Sequence, residues 1–140
     1  MERTLAIIKP DAVQRNLAGK ILARLEAEGF IVLGMKMVYL SKQDAERFYQ
    51  VHRERPFFHG LTSYMASGPA IPIVLQRDHA IQTLRGVMGA TNPAQAAAGT
   101  LRQEYGLDVE KNAIHGSDAP ATAAWEIAFF FNHLECRERA

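Results

Sequence analysis

Few side chains in this chain are placed to do covalent or ionic chemistry, and the most suggestive sits in Asn-Ala-Ile-His-Gly-Ser-Asp, residues 112–118. His115 lies between an apolar pair, Ala113 and Ile114, and three turn-forming residues. A histidine there can serve as nucleophile, ligand, proton shuttle or bystander. Its neighbours narrow the choice. Ser117 and Asp118 are placed to cap a following helix, whose N-terminus carries partial positive charge and attracts anions. Glu126 lies about two helical turns further on and can reach back to the imidazole. A carboxylate on one ring nitrogen fixes the tautomer and raises the basicity of the other, which describes an activated histidine nucleophile. The competing reading is a turn histidine that only bonds backbone.

Three cations sit beside or within apolar segments: Lys9, Arg85 and Arg102. Converging ammonium and guanidinium groups suit phosphate oxygens, against the plainer reading of three solvated surface charges. The common phosphate cradles, G-x-x-x-x-G-K-[ST] and the kinase-type G-x-G-x-x-G, are missing. H-E-x-x-H, paired C-x-x-C and G-x-S-x-G are missing too. His52 and His59 are separated by Pro56, which breaks any shared helical face and argues against a metal pair.

Composition bounds the class. The length of 140 residues suits a single domain, 1–140, and 48% hydrophobic residues are normal for a globular protein. The formal net charge of +1 gives no electrostatic case for nucleic acid or a membrane surface. The one cysteine, Cys136, is compatible with a reducing compartment. The apolar run before Lys9 is too short for a signal segment, and none approaches the ~18 residues of a membrane span. A soluble cytoplasmic protein is the expectation.

The elements that must position these groups follow from periodicity. Residues 4–9 read as a short buried strand ended by Pro10. Leu17, Ile21, Leu22 and Leu25 share a helical face closed by Gly29. Residues 30–40 read as one strand, with Met35, Met37 and Tyr39 alternating against Lys36 and Val38. Ser41 to Asp44 form a capping-box pattern, followed at helical spacing by Ala45, Phe48, Tyr49 and His52. A short helix is expected with Leu61, Tyr64 and Met65 inward, then a strand through Ile71, Ile73 and Leu75. Next comes a helix with Ile81, Leu84 and Met88 as its stripe. Asn92 caps a turn with Pro93 at its first position. A last strand over 111–116 and a last helix over 117–131 complete the chain. Strands interleaved with helices allow a doubly wound parallel sheet or a split βαβ layout, and periodicity does not choose between them.

Several segments, taken together, resemble nucleoside diphosphate kinase: "IIKPDAV", "FYQVHRERPFF", "YMASGP", "MGATNPAQAAAGTLR", "NAIHGSDAP" and "WEIAFFF", in that order from about Arg3 to Phe131. The resemblance implies a ferredoxin-like βαββαβ α+β fold with an antiparallel sheet. It implies transfer of the γ-phosphate of a nucleoside triphosphate, mainly ATP, to a nucleoside diphosphate by a ping-pong route with little base specificity. His115 would be phosphorylated on Nδ1, with Glu126 on the other nitrogen and Ser117 in the catalytic group. Phe57 would stack the base, with Leu61 beside it and Val109 opposite. Lys9, supported by Tyr49, and Asn112 would hold the sugar hydroxyls. Arg85, Thr91, His52 and Arg102 would bind phosphates, and Asp118 would meet Mg2+ through water. The family's assembly implies a homo-oligomer, hexamer or tetramer, with Pro93 in the loop where hexamers meet.

Three features depart from the family pattern: Gln76-Arg77-Asp78 after a strand, Gln103-Glu104 after Arg102, and Pro72 inside a presumed strand, where it cannot donate to a ladder. None removes a catalytic group. Two rivals keep the fold but change the function. One is a nucleotide or nucleic-acid sensor, which would be expected to have lost the histidine or a phosphate ligand. The other is a phosphorelay protein, for which Phe57 and the sugar-binding pair would lack purpose.

Overall fold

A computed structural model describes residues 1–139. Four strands form one antiparallel sheet in the order β2-β3-β1-β4. These are β1 (Glu2–Ile8), β2 (Ile31–Met35), β3 (Ile71–Arg77) and β4 (Ile114–Gly116). Helices α1 (Pro10–Gln14) and α2 (Ala18–Ala27) join β1 to β2. Helices α3 (Lys42–Phe48) and α4 (Phe58–Met65) join β2 to β3. Helices α5 (Ala80–Met88) and α6 (Leu101–Tyr105) join β3 to β4, and α7 (Pro120–Phe130) ends the described fold. The two crossovers place β1 and β3 side by side and antiparallel, as in the ferredoxin-like α+β layout, and the parallel alternative falls away.

The central strands are buried on both faces, so they read as apolar runs rather than clean alternations. Ala6, Ile8, Ile73 and Leu75 point to one face, where Ile21 and Leu25 of α2 and Leu84 and Met88 of α5 cover them. Leu5, Ile7 and Val74 point to the other, under Phe48, Met65 and Phe130 from α3, α4 and α7. Burying each such Leu, Ile or Phe side chain contributes about 1.5–3 kcal/mol.

The expected long strand over 30–40 is shorter than read. It slips register between Val32 and Gly34 and stops at Met35, and only Val38 re-pairs, with Ala70. Met35, Met37 and Tyr39 are exposed, so their alternation tracks the outer rim and not a core. At Gly34 the tail crosses the strand, and a Cβ there would stand 2.4 Å from the Glu135 carbonyl oxygen.

Pro72 does lie in a central strand, opposite Ile7. Its carbonyl accepts from Lys36 N at 3.3 Å, on the β2 side. In an antiparallel ladder the N and O of one residue face the same neighbour. The missing N–H therefore points to the place where β2 is leaving the sheet, and the β1 ladder loses nothing. The capping box on α3 forms in both directions, with Ser41 Oγ accepting from Asp44 N and Asp44 Oδ2 accepting from Ser41 N, each at 3.0 Å.

Candidate active site

Strand alternation aims His115. Ile114 and Gly116 face α5, where a Cβ on Gly116 would meet Met88 Sδ at 2.6 Å, so only glycine lets α5 close on the strand. His115, paired with Ile7, faces the opposite side. There its ring meets Phe48 edge-on at 5.5 Å and Tyr49 at 6.1 Å. A one-residue slip of β4 would send the imidazole into the α5 core instead.

Glu126, half-buried on α7, completes the arrangement. Its Oε1 lies 2.8 Å from His115 Nε2 and accepts from Ser117 Oγ at 2.8 Å. A carboxylate only accepts, so Nε2 carries the proton and Nδ1 presents its lone pair. Two residues expected as helix caps are used otherwise. Ser117 spends its hydroxyl on Glu126, and exposed Asp118 accepts from Thr122 Oγ1 at 2.7 Å. Thr122 Oγ1 itself accepts from Ala119 N at 3.0 Å and supplies the first-turn bond of α7.

His115 opens into a groove of about 450 Å3, lined also by Lys9, Tyr49, His52, Phe57, Leu61, Thr91, Arg102, Val109, Glu110 and Asn112. Lys9 enters from the end of β1. It is 5% exposed, and its Nζ donates to Glu110 O at 2.7 Å and Asn112 Oδ1 at 3.0 Å. Burial is the main cause that pulls its ammonium down to about 8, opposed by Asp11 and reinforced by Arg102. Arg102 donates to Gly89 O at 3.1 Å and Ile114 O at 2.8 Å, while its buried Nε has no partner among the described residues. Burial, then the charge of Arg85, lowers Arg102 to about 10, so it stays cationic at neutral pH. Asn112 donates to Thr91 O at 3.0 Å and Val109 O at 3.1 Å.

Phe57 and Val109 are exposed, Phe57 with its ring 5.5 Å from His52. An exposed aromatic and an exposed Val lining one groove suit a flat ring. The groove thus combines a histidine, two cations and an aromatic side chain.

Most residues singled out in the sequence converge here, with three qualifications. Arg85 and Asp118 do not line this groove but a neighbouring hollow of about 420 Å3, with Glu2, His79 and Gln82, although Arg85 lies close enough to act on Arg102. Tyr49 makes no hydrogen bond to Lys9 among the described residues. It packs on Phe48 and His115, and burial together with the Glu126 charge pushes its phenol well up. Gln103 turns away from the groove and accepts from Gly99 N at 3.4 Å. The Gln76-Arg77-Asp78 turn is held by Arg77, which donates to Glu28 O and stacks over Phe30 at 5.5 Å. Glu110 was missed, since a lone glutamate in a polar turn reads as a solvated charge.

No cluster of three or more His, Cys, Asp or Glu able to hold a metal occurs among the described residues. No helix there is long and apolar enough to cross a membrane. A nucleotide kinase generally works with a divalent cation on its phosphates, and Mg2+ of that kind needs one or two carboxylates, not a protein cage. A single exposed Asp118 fits that donor set.

The family model for nucleoside diphosphate kinase matches residues 2–136. A nucleoside diphosphate kinase of Geobacter sulfurreducens is 58% identical over 135 residues, spanning 96% of this chain and 98% of the relative. The nucleoside diphosphate kinase of Aquifex aeolicus superposes with a TM-score of 0.96 at 45% identity, covering 97% of this chain and 99% of that one. A halophilic nucleoside diphosphate kinase from Halobacterium salinarum, solved in complex with CDP, gives 0.96 at 40%, covering 99% and 93%. With its antiparallel sheet, its histidine facing a groove and these relatives along nearly its whole length, the chain belongs to the nucleoside diphosphate kinase family.

Proposed function

We propose that this enzyme moves the γ-phosphoryl group of a nucleoside triphosphate, mainly ATP, to a nucleoside diphosphate through His115. The observation that carries the assignment is the 2.8 Å contact of Nε2 with Glu126, which leaves Nδ1 as the nucleophilic nitrogen at the groove. In the first half-reaction the Nδ1 lone pair forms the N–P bond as the bond from Pγ to the bridging oxygen breaks, and the nucleoside diphosphate leaves. The second half-reaction reverses this with another diphosphate, which makes the kinetics ping-pong. Glu126 stabilises the positive charge that develops on the imidazole, and Ser117 fixes the carboxylate.

The other roles follow the groove. Phe57, Leu61 and Val109 take the base, and stacking tolerates any base because every base has a π-face. Lys9 has an ammonium proton to spare for the sugar hydroxyls. Asn112 has both amide protons engaged with Thr91 and Val109, so it offers only a remaining oxygen lone pair and acts chiefly as a clip. Arg102, with its unpartnered Nε, and Thr91, His52 and Arg85 receive phosphates. Mg2+ on those phosphates would supply charge neutralisation, met through water by Asp118. Such catalysis is mostly positioning and neutralisation of charge.

We also read residues 1–140 as a single domain, and the chain as a homo-oligomer, hexamer or tetramer. The outer edge of β2 and the exposed Met35, Met37 and Tyr39 beside it support this, since such edges and patches are usually covered by a partner. A stable mass near 15.6 kDa in light scattering, with full activity, would contradict it. A cytoplasmic location suits the lone, buried thiol of Cys136. The function is tested by initial-rate kinetics with ATP and a second diphosphate: parallel double-reciprocal lines are expected, and intersecting lines would refute a phosphoenzyme route.

A further inference from the structure

Glu110 lines the groove beside Val109, and its side chain has no part in the roles above. Its backbone is locked. Asp108 Oδ1 accepts from Glu110 N at 2.9 Å and Lys111 N at 2.7 Å, Leu107 N donates to Lys111 O at 2.8 Å, and Lys9 holds the Glu110 carbonyl. From this fixed loop, next to Val109, the side chain crosses to the opposite wall. Its Oε2 lies 3.1 Å from where a Cβ on Gly60 would stand, in the turn of α4 between Phe57 and Leu61. Glycine at position 60 leaves that room. The carboxylate therefore reaches from the loop that carries Val109 to the helix turn between Phe57 and Leu61, all of which line the groove except Gly60 itself.

A carboxylate at the edge of a stacking slot accepts hydrogen bonds and donates none. Guanine presents two adjacent donors, N1–H and the 2-amino group, which match its two oxygens. Adenine and cytosine present a single amino group, and uracil and thymine flank their one N–H with carbonyl oxygens that a carboxylate repels. We propose that Glu110 reads the base edge and biases this enzyme toward guanine nucleotides, within the broad tolerance that stacking allows. The inference rests on the groove being the nucleotide site.

The 2-amino group isolates the effect, because IDP differs from GDP only in lacking it. Glu110 also acts electrostatically on Lys9, but that influence is common to all nucleotides and cancels in a ratio. A hydrogen bond to a charged group is strong, yet a half-exposed carboxylate is screened, so the ratio of kcat/KM for GDP over IDP is expected at about 3–10. In Glu110→Ala the ratio should fall to within about twofold of one, in Glu110→Gln it should fall less because an amide oxygen still accepts from the 2-amino group, and in both UDP should gain relative to GDP. Circular dichroism of both variants checks that the loop substitution leaves the fold intact. A wild-type ratio near one, or a ratio kept by folded variants, would overturn the role of Glu110. Wild-type protein that phosphorylates none of these diphosphates would instead overturn the nucleotide site itself.

Discussion

Replacing Glu126 by Gln removes a charge and almost no volume. The amide oxygen can still accept from His115 Nε2 and Ser117 Oγ, both 2.8 Å away, so the ring stays oriented. What is lost is the difference between a charge-assisted bond and a neutral one while the imidazole becomes cationic during phosphoryl transfer. Bonds to charged groups contribute about 1.5–3 kcal/mol against about 1 for neutral pairs, so the deficit is about 0.5–2 kcal/mol. Both ends of the pair are largely shielded, with side-chain exposures of 21% and 14%, which favours the upper part of that range. At 1.36 kcal/mol per decade, kcat should fall about 5–30-fold. Glu126 is outside the groove lining, so KM should stay within about twofold. The assay is steady-state transfer from ATP to GDP, with single-turnover phosphorylation of the protein to isolate the first half-reaction. An unchanged phosphorylation rate in a folded variant, or a loss appearing only in KM, would refute the claim that this carboxylate stabilises the charged histidine.

Other consequences are equally direct. Lys9 is charged below about 8 in the free protein and loses its proton as pH rises past that value, so diphosphate affinity should weaken from pH 7 to 9. KM against pH in the wild type, compared with Lys9→Met, checks this, and a flat wild-type profile would contradict it. For stability the sign is opposite, because between about 8 and 10.5 the unfolded chain holds the proton that the fold has released, and this group's contribution to stability rises across that window. Gly89 has φ +85°, and a Cβ there would stand 2.5 Å from Thr100 Oγ1, so Gly89→Ala should cost about 2–4 kcal/mol in chemical denaturation and disturb the Arg102 contact with its carbonyl. Phe57 is half exposed, so Phe57→Ala should leave the melting temperature nearly unchanged while weakening nucleotide binding by about 1–3 kcal/mol in titration calorimetry.

The helices were readable because their faces differ: Ile21 and Leu25, or Ile81, Leu84 and Met88, mark a core side at 3.6 spacing, and the structure buries them. Strand direction was not readable, because a buried run such as Ile71 to Leu75 looks the same whether its neighbours run parallel or antiparallel. The resemblance supplied that choice. The end of β2 was misplaced because Met37 and Tyr39 are apolar without being inside. At the site, His115, Glu126 and the cations were marked by residue type against an apolar background. The use of Ser117 and Asp118 was not, since a turn Ser or Asp before a helix suits a cap as well as a partner for Glu126 or Thr122. Arg85 and Asp118 share a hollow beside the groove, a placement set by the packing of α5 against β4, about which spacing is silent.

The proposed route for the phosphoryl group runs through Nδ1 of His115. Incubating the pure protein with γ-labelled ATP and Mg2+, removing nucleotide, and mapping the label tests it most directly. Acid-labile, base-stable label is expected on the peptide carrying His115, discharged to labelled GTP on adding GDP, with no label on His115→Ala. Acid-labile label persisting on His115→Ala, or label on the wild type that GDP cannot discharge, would contradict it.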